Sequence, residues 1–322
     1  MIKTWIKTPL VAALVSLILT GYASYYWPIT DSYDPLNVGW DGCSQVFSMP
    51  TRRSILLSYS NPLPIAPSLI TIIGPKIPFN KPEGMEVSSF LKAGGTVVVA
   101  DDYGTGNTLL DNLNVSMRFS GKPIADLYFY SRSPSFPVIS QFTSDTLTKN
   151  LTAILLDHPS YIEVADSATT KVLARSSPFS FIDQLNNGTL PPTENTTSYP
   201  IIVTGQIGKG LLVLVASSYV FTNEMINELN NRVLFSNLVE FANETATFDV
   251  VHLNRALLTA PRISFRNELD SSVTFLHSTL TQLTLAAVLV VVFSGIFVRE
   301  KRVMTSDENS TPSQSTLHTN GK

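Results

Sequence analysis

Two charge-free apolar stretches, one near each end, constrain this 322-residue chain more than any other feature. From Thr8 to Trp27 there is no Asp, Glu, Lys or Arg, and Leu, Val, Ile and Ala dominate. A run of that length is about what crosses a bilayer as a helix. Ser271 to Val298 is likewise uncharged and is followed at once by Arg299-Glu300-Lys301-Arg302. Lys3 and Lys7 flank the first stretch, so the positive-inside bias places both termini in the cytoplasm and the intervening chain outside. The first stretch also fits a cleavable signal peptide, with small residues at Gly21 and Ala23. Tyr22, Tyr25, Tyr26 and Trp27 instead resemble an interfacial aromatic belt and favour a retained anchor. The expected organisation is a cytoplasmic 1–7, an anchor at 8–27, a lead-in at 28–50, an α/β domain at 51–246, a stalk at 247–275, a second span at 276–298 and a disordered cytoplasmic tail at 299–322. The expected location is the cell membrane, with the main domain extracytoplasmic.

Composition narrows the function classes. Charged residues make up 15% of the chain, against about 25% in ordinary soluble domains. Between Pro28 and Leu276, 16 Lys/Arg face 22 Asp/Glu, and no basic run tracks a phosphate backbone, so a nucleic-acid partner is not expected. The single Cys excludes an intramolecular disulfide framework and thiolate-based metal sites. Asn114, Asn150, Asn187, Asn195 and Asn243 head glycosylation sequons, which chance alone explains in a chain this rich in Ser, Thr and Asn.

Within the middle region, Ser54–Leu57, Leu69–Ile73 and Thr96–Ala100 are short apolar runs without polar alternation. Such runs predict strands buried on both faces, as in a parallel sheet. Pro82–Lys92 predicts a helix stopped by Gly94-Gly95. Pro200–Thr204 and Leu211–Val215 flank a hairpin-like turn at Gly208-Lys209-Gly210, and the longest helix is expected from a cap at Thr222 or Asn223 through Phe241.

The most suggestive chemistry lies in Ala100-Asp101-Asp102-Tyr103-Gly104-Thr105-Gly106-Asn107, which leaves a strand and enters a helix. Beyond the carboxyl end of a parallel strand, such a Gly-rich turn holds ligands. The candidate ligand-binding residues are therefore Asp101, Asp102, Gly104, Gly106 and Asn107. The competing reading is structural: the glycines supply positive φ angles and the polar side chains cap the turn. A dinucleotide fingerprint fails because Leu109 stands where its third Gly or Ala belongs. Cys43 lacks a strand-to-helix elbow and a sequence-adjacent His. His158 and His252 are isolated in sequence, and His277 borders the second apolar stretch. No catalytic residue, metal or cofactor is expected.

Gly39-Trp40-Asp41-Gly42-Cys43-Ser44, Ile73-Gly74-Pro75, Pro78-Phe79, Phe90 to Gly95 running into the Asp101–Asn107 turn, Arg118 to Lys122, Asp126, and Gly208-Lys209-Gly210 leading to Asn223 and Asn231 carry a family resemblance. Together they resemble a prokaryotic, often archaeal, family of membrane-anchored domains of unknown function related to class I glutamine amidotransferases, over roughly Pro35 to Phe241. The resemblance implies a three-layer, flavodoxin-like α/β fold with a mostly parallel sheet flanked by two transmembrane helices. It implies neighbours among envelope or transport ATPase components besides the lipid bilayer, and no known activity. Those amidotransferases carry a Cys on the turn after a central strand, which Asp101 to Gly106 lacks. The expected role is thus a non-catalytic binding or scaffolding element of an envelope complex. The alternatives are a hydrolase or small-ligand sensor using Asp101 and Asp102, and an accessory subunit of an export transporter.

Overall fold

The computed structural model describes residues 15–16, 19–21, 28–60, 62–165, 169–192 and 194–255. The chain divides into two compact units, 1–260 and 261–322, and the second lies outside the described residues.

The first unit is organised by an eight-stranded mixed sheet. Its order is β1 (Arg52–Leu56), β14 (Thr245–Asp249), β2 (Leu69–Ile73), β3 (Thr96–Ala100), β13 (Gly210–Val215), β12 (Pro200–Ile207), β10 (Thr170–Arg175) and β7 (Gln141–Phe142). Three small antiparallel pairs accompany it: β4 (Met117–Phe119) with β9 (Ile162–Val164), β5 (Ile124–Asp126) with β11 (Ser180–Ile182), and β6 (Val138–Ile139) with β8 (Ile154–Leu155). Helices α1 (Ser44–Phe47), α2 (Lys81–Lys92), α3 (Asn107–Asn112) and α4 (Asn231–Phe241) accompany the strands.

Every residue of β2 and β3 is buried, because the sheet is covered on both faces. Alternate side chains feed two apolar clusters, as the two-residue period of a strand requires. Ile70, Ile72, Val97, Val99, Leu212 and Leu214 join Val87, Leu91 and Leu109 in one cluster. Leu69, Ile73, Val98, Ala100, Val213 and Val215 join Leu234, Phe235 and Leu238 in the other. Helix α2 starts at a reciprocal cap, with Asn80 Oδ1 accepting from Glu83 N at 3.0 Å and Glu83 Oε2 accepting from Asn80 N at 2.8 Å.

Two features of the sequence reading are corrected. The sheet is not the mostly parallel sheet of a flavodoxin-like three-layer sandwich. From β1 to β13 the pairings are parallel, but β13–β12, β12–β10 and β10–β7 are antiparallel. An apolar run buried on both faces does not encode the direction of its neighbour; the connection does. The two-residue loop Gly208-Lys209, with Gly208 at φ 61°, sends β13 straight back along β12. Residues 113–199 then contribute short strands and turns instead of further strand–helix crossovers.

The flanking membrane helices and the membrane location are likewise withdrawn. Among the described residues no helix is long and apolar enough to cross a membrane. The 8–27 stretch, apart from five residues, and the 276–298 stretch lie outside the described residues. With no spanning helix among the described residues, the assignments of the main domain as extracytoplasmic and of both termini as cytoplasmic have no support in the structure.

Strand β14 and the residues after it begin the segment expected as a stalk, yet β14 sits between β1 and β2. His252 follows it, 2% exposed, stacked on Phe79 with ring centroids 3.4 Å apart. Its Nδ1 lies 2.6 Å from Asp249 Oδ2 and its Nε2 3.3 Å from Glu83 Oε2. Burial pulls the imidazole pKa down, but Asp249, and then Glu83, outweigh it, so the pKa lies above the usual histidine value. A raised folded pKa means that the native state holds the proton more tightly than the unfolded chain. The stabilisation is therefore complete below the unfolded value of about 6.5 and is lost as pH rises through the folded one. His252→Gln is expected to cost about 3 kcal/mol at pH 6 and distinctly less at pH 9, as read by urea unfolding. An equal cost at both pH values would show that the ring is neutral.

Candidate functional site

Three neighbouring parallel strands, β2, β3 and β13, end on the same edge, and the residues just beyond them meet. Asp101 N donates to Val215 O at 3.1 Å, and Gly74 N to Ala100 O at 2.9 Å. Asp102 Oδ1 accepts from Ser218 N at 2.6 Å, and Ser218 Oγ donates to Ala100 O at 3.1 Å. Asp102 is 7% exposed, and its Oδ2 is buried with no hydrogen-bond partner among the described residues. Burial, reinforced by the charge on Asp101 and opposed by Ser218, pushes its pKa up to about 8. At neutral pH Asp102 is chiefly a neutral carboxylic acid, able to donate as well as accept.

Aromatic side chains gather around it. Tyr33 packs edge-on against Tyr219, with centroids 5.4 Å apart. Its hydroxyl is buried with no hydrogen-bond partner within bonding distance among the described residues, and burial, then the charge on Asp102, pushes its pKa far up. Lys76 Nζ sits 3.9 Å from the Tyr103 ring centroid and 5.5 Å from that of Tyr33. That is cation–π distance. Burial lowers the Lys76 pKa against the attraction of Asp102 and Asp101.

The lead-in supplies the opposite wall, and Asn223 fixes it. Asn223 Nδ2 donates to Asn37 O at 3.0 Å and to Gly39 O at 2.6 Å, while Oδ1 accepts from Gln45 N at 2.9 Å. The backbone joins in, with Asn223 N donating to Gly42 O and Glu224 N to Trp40 O. Gly42 permits this packing: a Cβ there would lie 2.0 Å from Asn37 O. This service explains why α4 begins at Asn231 and not at Asn223. The Asn223 side chain is spent on the lead-in, while Asn231 Nδ2 bonds Leu155 O and Met225 O. The loop so held presents Trp40, 62% exposed. Cys43 packs beneath, fully buried, and burial pushes its thiol pKa up, away from the reactive thiolate.

Between these walls lies a cavity of about 580 Å³. Trp40, Tyr103, Phe136 and Tyr219 give it aromatic surface, and Asp102, Asp157, His158, Asn186 and Glu224 give it polar groups. Asp157 Oδ1 meets His158 Nδ1 in a short contact. His158 stands at φ 41°, the left-handed region that a side chain of its size rarely adopts. Glu224 Oε1 pairs with Arg132 at 3.2 Å, and Arg132 also holds Glu228 at 2.9 Å.

A family model described as "Domain of unknown function (DUF4350)" matches residues 35–239, which runs from the lead-in through most of α4 and takes in every residue that lines the cavity. The chain belongs to the DUF4350 family. No curated protein matches it. Solved structures similar to parts of the DUF4350 chain include the mmIFT52 N-terminal domain, at 13% identity and a TM-score of 0.43, covering 55% of this chain and 77% of that one. Others are a beta-galactosidase from Bacillus circulans sp. alkalophilus, at 14% identity and a TM-score of 0.35, covering 55% of this chain and 22% of that one, and the Cytoplasmic Protein STM1381 from Salmonella typhimurium LT2, at 12% identity and a TM-score of 0.36, covering 55% and 75%. At such identities and overlaps these likenesses assign neither activity nor location.

Within the DUF4350 domain, the five residues singled out from sequence divide by role. Asp102 lines the cavity. Asp101 instead ties the turn, its Oδ1 accepting from Tyr103 N at 2.8 Å and its Oδ2 from Gly106 N at 2.6 Å. Gly104 takes φ 91°, and Gly106 brings its N–H against Asp101. Asn107 clamps the backbone of Phe119, donating to its O at 2.9 Å and accepting from its N at 2.8 Å. Sequence reasoning did not bring Tyr33, Trp40, Phe136, Asn186, Tyr219 or Glu224 to Asp102, since each arrives from a distant segment. One local signal for the dyad was legible: Asp157 and His158 are adjacent.

Proposed function

We propose that this DUF4350 domain is a small-molecule binding module whose ligand enters the cavity over the carboxyl ends of β2, β3 and β13. The observation that carries it is Asp102. A carboxyl group buried with one oxygen unpartnered is costly to keep in a folded protein, and this one lines a cavity of the size that small ligands fill. The site's place at strand ends agrees with the general rule for ligand sites on parallel strands. Kinship with class I glutamine amidotransferase-like domains is part of the same proposal. It is supported by the Asp101–Gly106 turn after a central parallel strand, where those enzymes carry their nucleophile.

A second reading, hydrolysis, is favoured by one observation. The Asp157–His158 dyad shares the cavity with a protonated Asp102, which places an oriented imidazole and a carboxylic acid around one space.

Thermal unfolding of the full chain against a set of chemically diverse small molecules tests the binding reading. A ligand at about 100 times its Kd should add about 2.7 kcal/mol, a shift of several degrees. The shift should disappear in Trp40→Ala, whose exposed side chain carries little of the fold. Shifts that persist in that variant, or none in the wild type, would refute a ligand site here. Mass analysis of each stabilising compound after incubation separates binding from hydrolysis.

A further inference from the structure

We infer that the ligand is a neutral, polyhydroxylated ring, a carbohydrate, held between the aromatic walls and the acceptor groups of the cavity. This rests on the binding reading above and narrows it. No Lys or Arg lines the cavity; the nearby Arg132 is taken up by Glu224 and Glu228. An anionic ligand such as a nucleotide finds no Lys or Arg in the lining, and Lys76, which lies over the Tyr103 ring, is drawn to Asp102 and Asp101. A cationic ligand would have to compete with His158 for Asp157 and with Arg132 for Glu224, and choline is the comparator that tests it.

The remaining hydrogen-bonding capacity is acceptor-rich. Glu224 meets Arg132 through Oε1 and Asp157 meets His158 through Oδ1, so each keeps a second carboxylate oxygen for a donor, and the Asn186 amide adds another acceptor. Hydroxyl groups supply donors in that number without charge, whereas a nucleobase offers few. The flat faces of Trp40 and Tyr103, 62% and 59% exposed, suit the C–H face of a sugar ring, whose slightly positive hydrogens meet the negative face of the aromatic π-system.

Titration calorimetry of the full chain with methyl glycosides of glucose, galactose, mannose and N-acetylglucosamine tests this, with choline and AMP as comparators. At least one glycoside should give saturable heat with a millimolar or tighter Kd, weakened at least tenfold in Trp40→Ala. Wild-type affinity should fall above pH 8, where ionised Asp102 puts an unmatched charge beside a neutral ligand. Saturation by choline or AMP that depends on Trp40, with no glycoside binding, would overturn the carbohydrate assignment and leave the binding module standing. No saturable binding by any probe would overturn the carbohydrate assignment. If the diverse set also fails to shift thermal unfolding, the module falls with it.

Discussion

Replacing Asp102 by Asn is expected to stabilise the protein at pH 7 and to leave it unchanged near pH 3. The carboxyl pKa is raised from 3.8 to about 8 in the fold, chiefly by burial. Below 3.8 both folded and unfolded states carry the proton, and ionisation costs nothing. Between that value and about 8 the unfolded chain gives up the proton while the native state keeps it. Stability is thus fully present in acid and is lost as pH rises through the folded pKa. At pH 7 the loss approaches about 4 kcal/mol as a ceiling, so an amide of the same shape recovers roughly 2 kcal/mol or more. Chemical denaturation of both proteins from pH 3 to 9 measures it. A variant less stable than wild type at pH 7 would mean that Asp102 is ionised there and that its charge is held by Lys76. The gain matters functionally, because a residue kept at a cost to stability is the signature of a site under a constraint other than folding.

Asn223→Ala is expected to cost about 3 kcal/mol, at roughly 1 kcal/mol for each of the hydrogen bonds it ends. The lost partners are the carbonyls of Asn37 and Gly39 and the N–H of Gln45. Alanine would leave those half-buried backbone groups to find water. The loop that carries Trp40 would loosen, so the loss should show in the Trp40 fluorescence maximum and in ligand affinity as well as in urea unfolding. A change below about 0.5 kcal/mol would mean that the backbone bonds from Asn223 N and Glu224 N hold the lead-in by themselves.

Much of the local structure was legible because its causes are local. Leu69–Ile73 and Thr96–Ala100 are strands in sequence and in space, since unbroken β-branched runs need cover on both faces. Helix α2 follows from the Asn80–Glu83 cap and the Gly94-Gly95 stop. The start of α4 was misjudged by eight residues because Thr222 and Asn223 have the chemistry of a helix cap. Nothing local shows that Asn223 is committed to a loop some 180 positions earlier.

The sequence by itself determined the strands β2, β3, β12 and β13 and the helix α2, and that the turn after β3 carries two adjacent carboxylates among glycines. Propensity, caps and glycine requirements act within a few residues, and that range is what a sequence displays. The tertiary structure decided the rest. It made three of the sheet's seven strand pairings antiparallel, beginning with a two-residue hairpin. It separated Asp101, which ties its own turn, from Asp102, which lines the cavity. It gave His252 two carboxylate partners and brought Trp40, Tyr219, His158 and Glu224 to one space. Burial, charge pairing and cavity shape depend on which distant residues fill the surrounding volume, and these quantities come into existence only when the chain closes on itself.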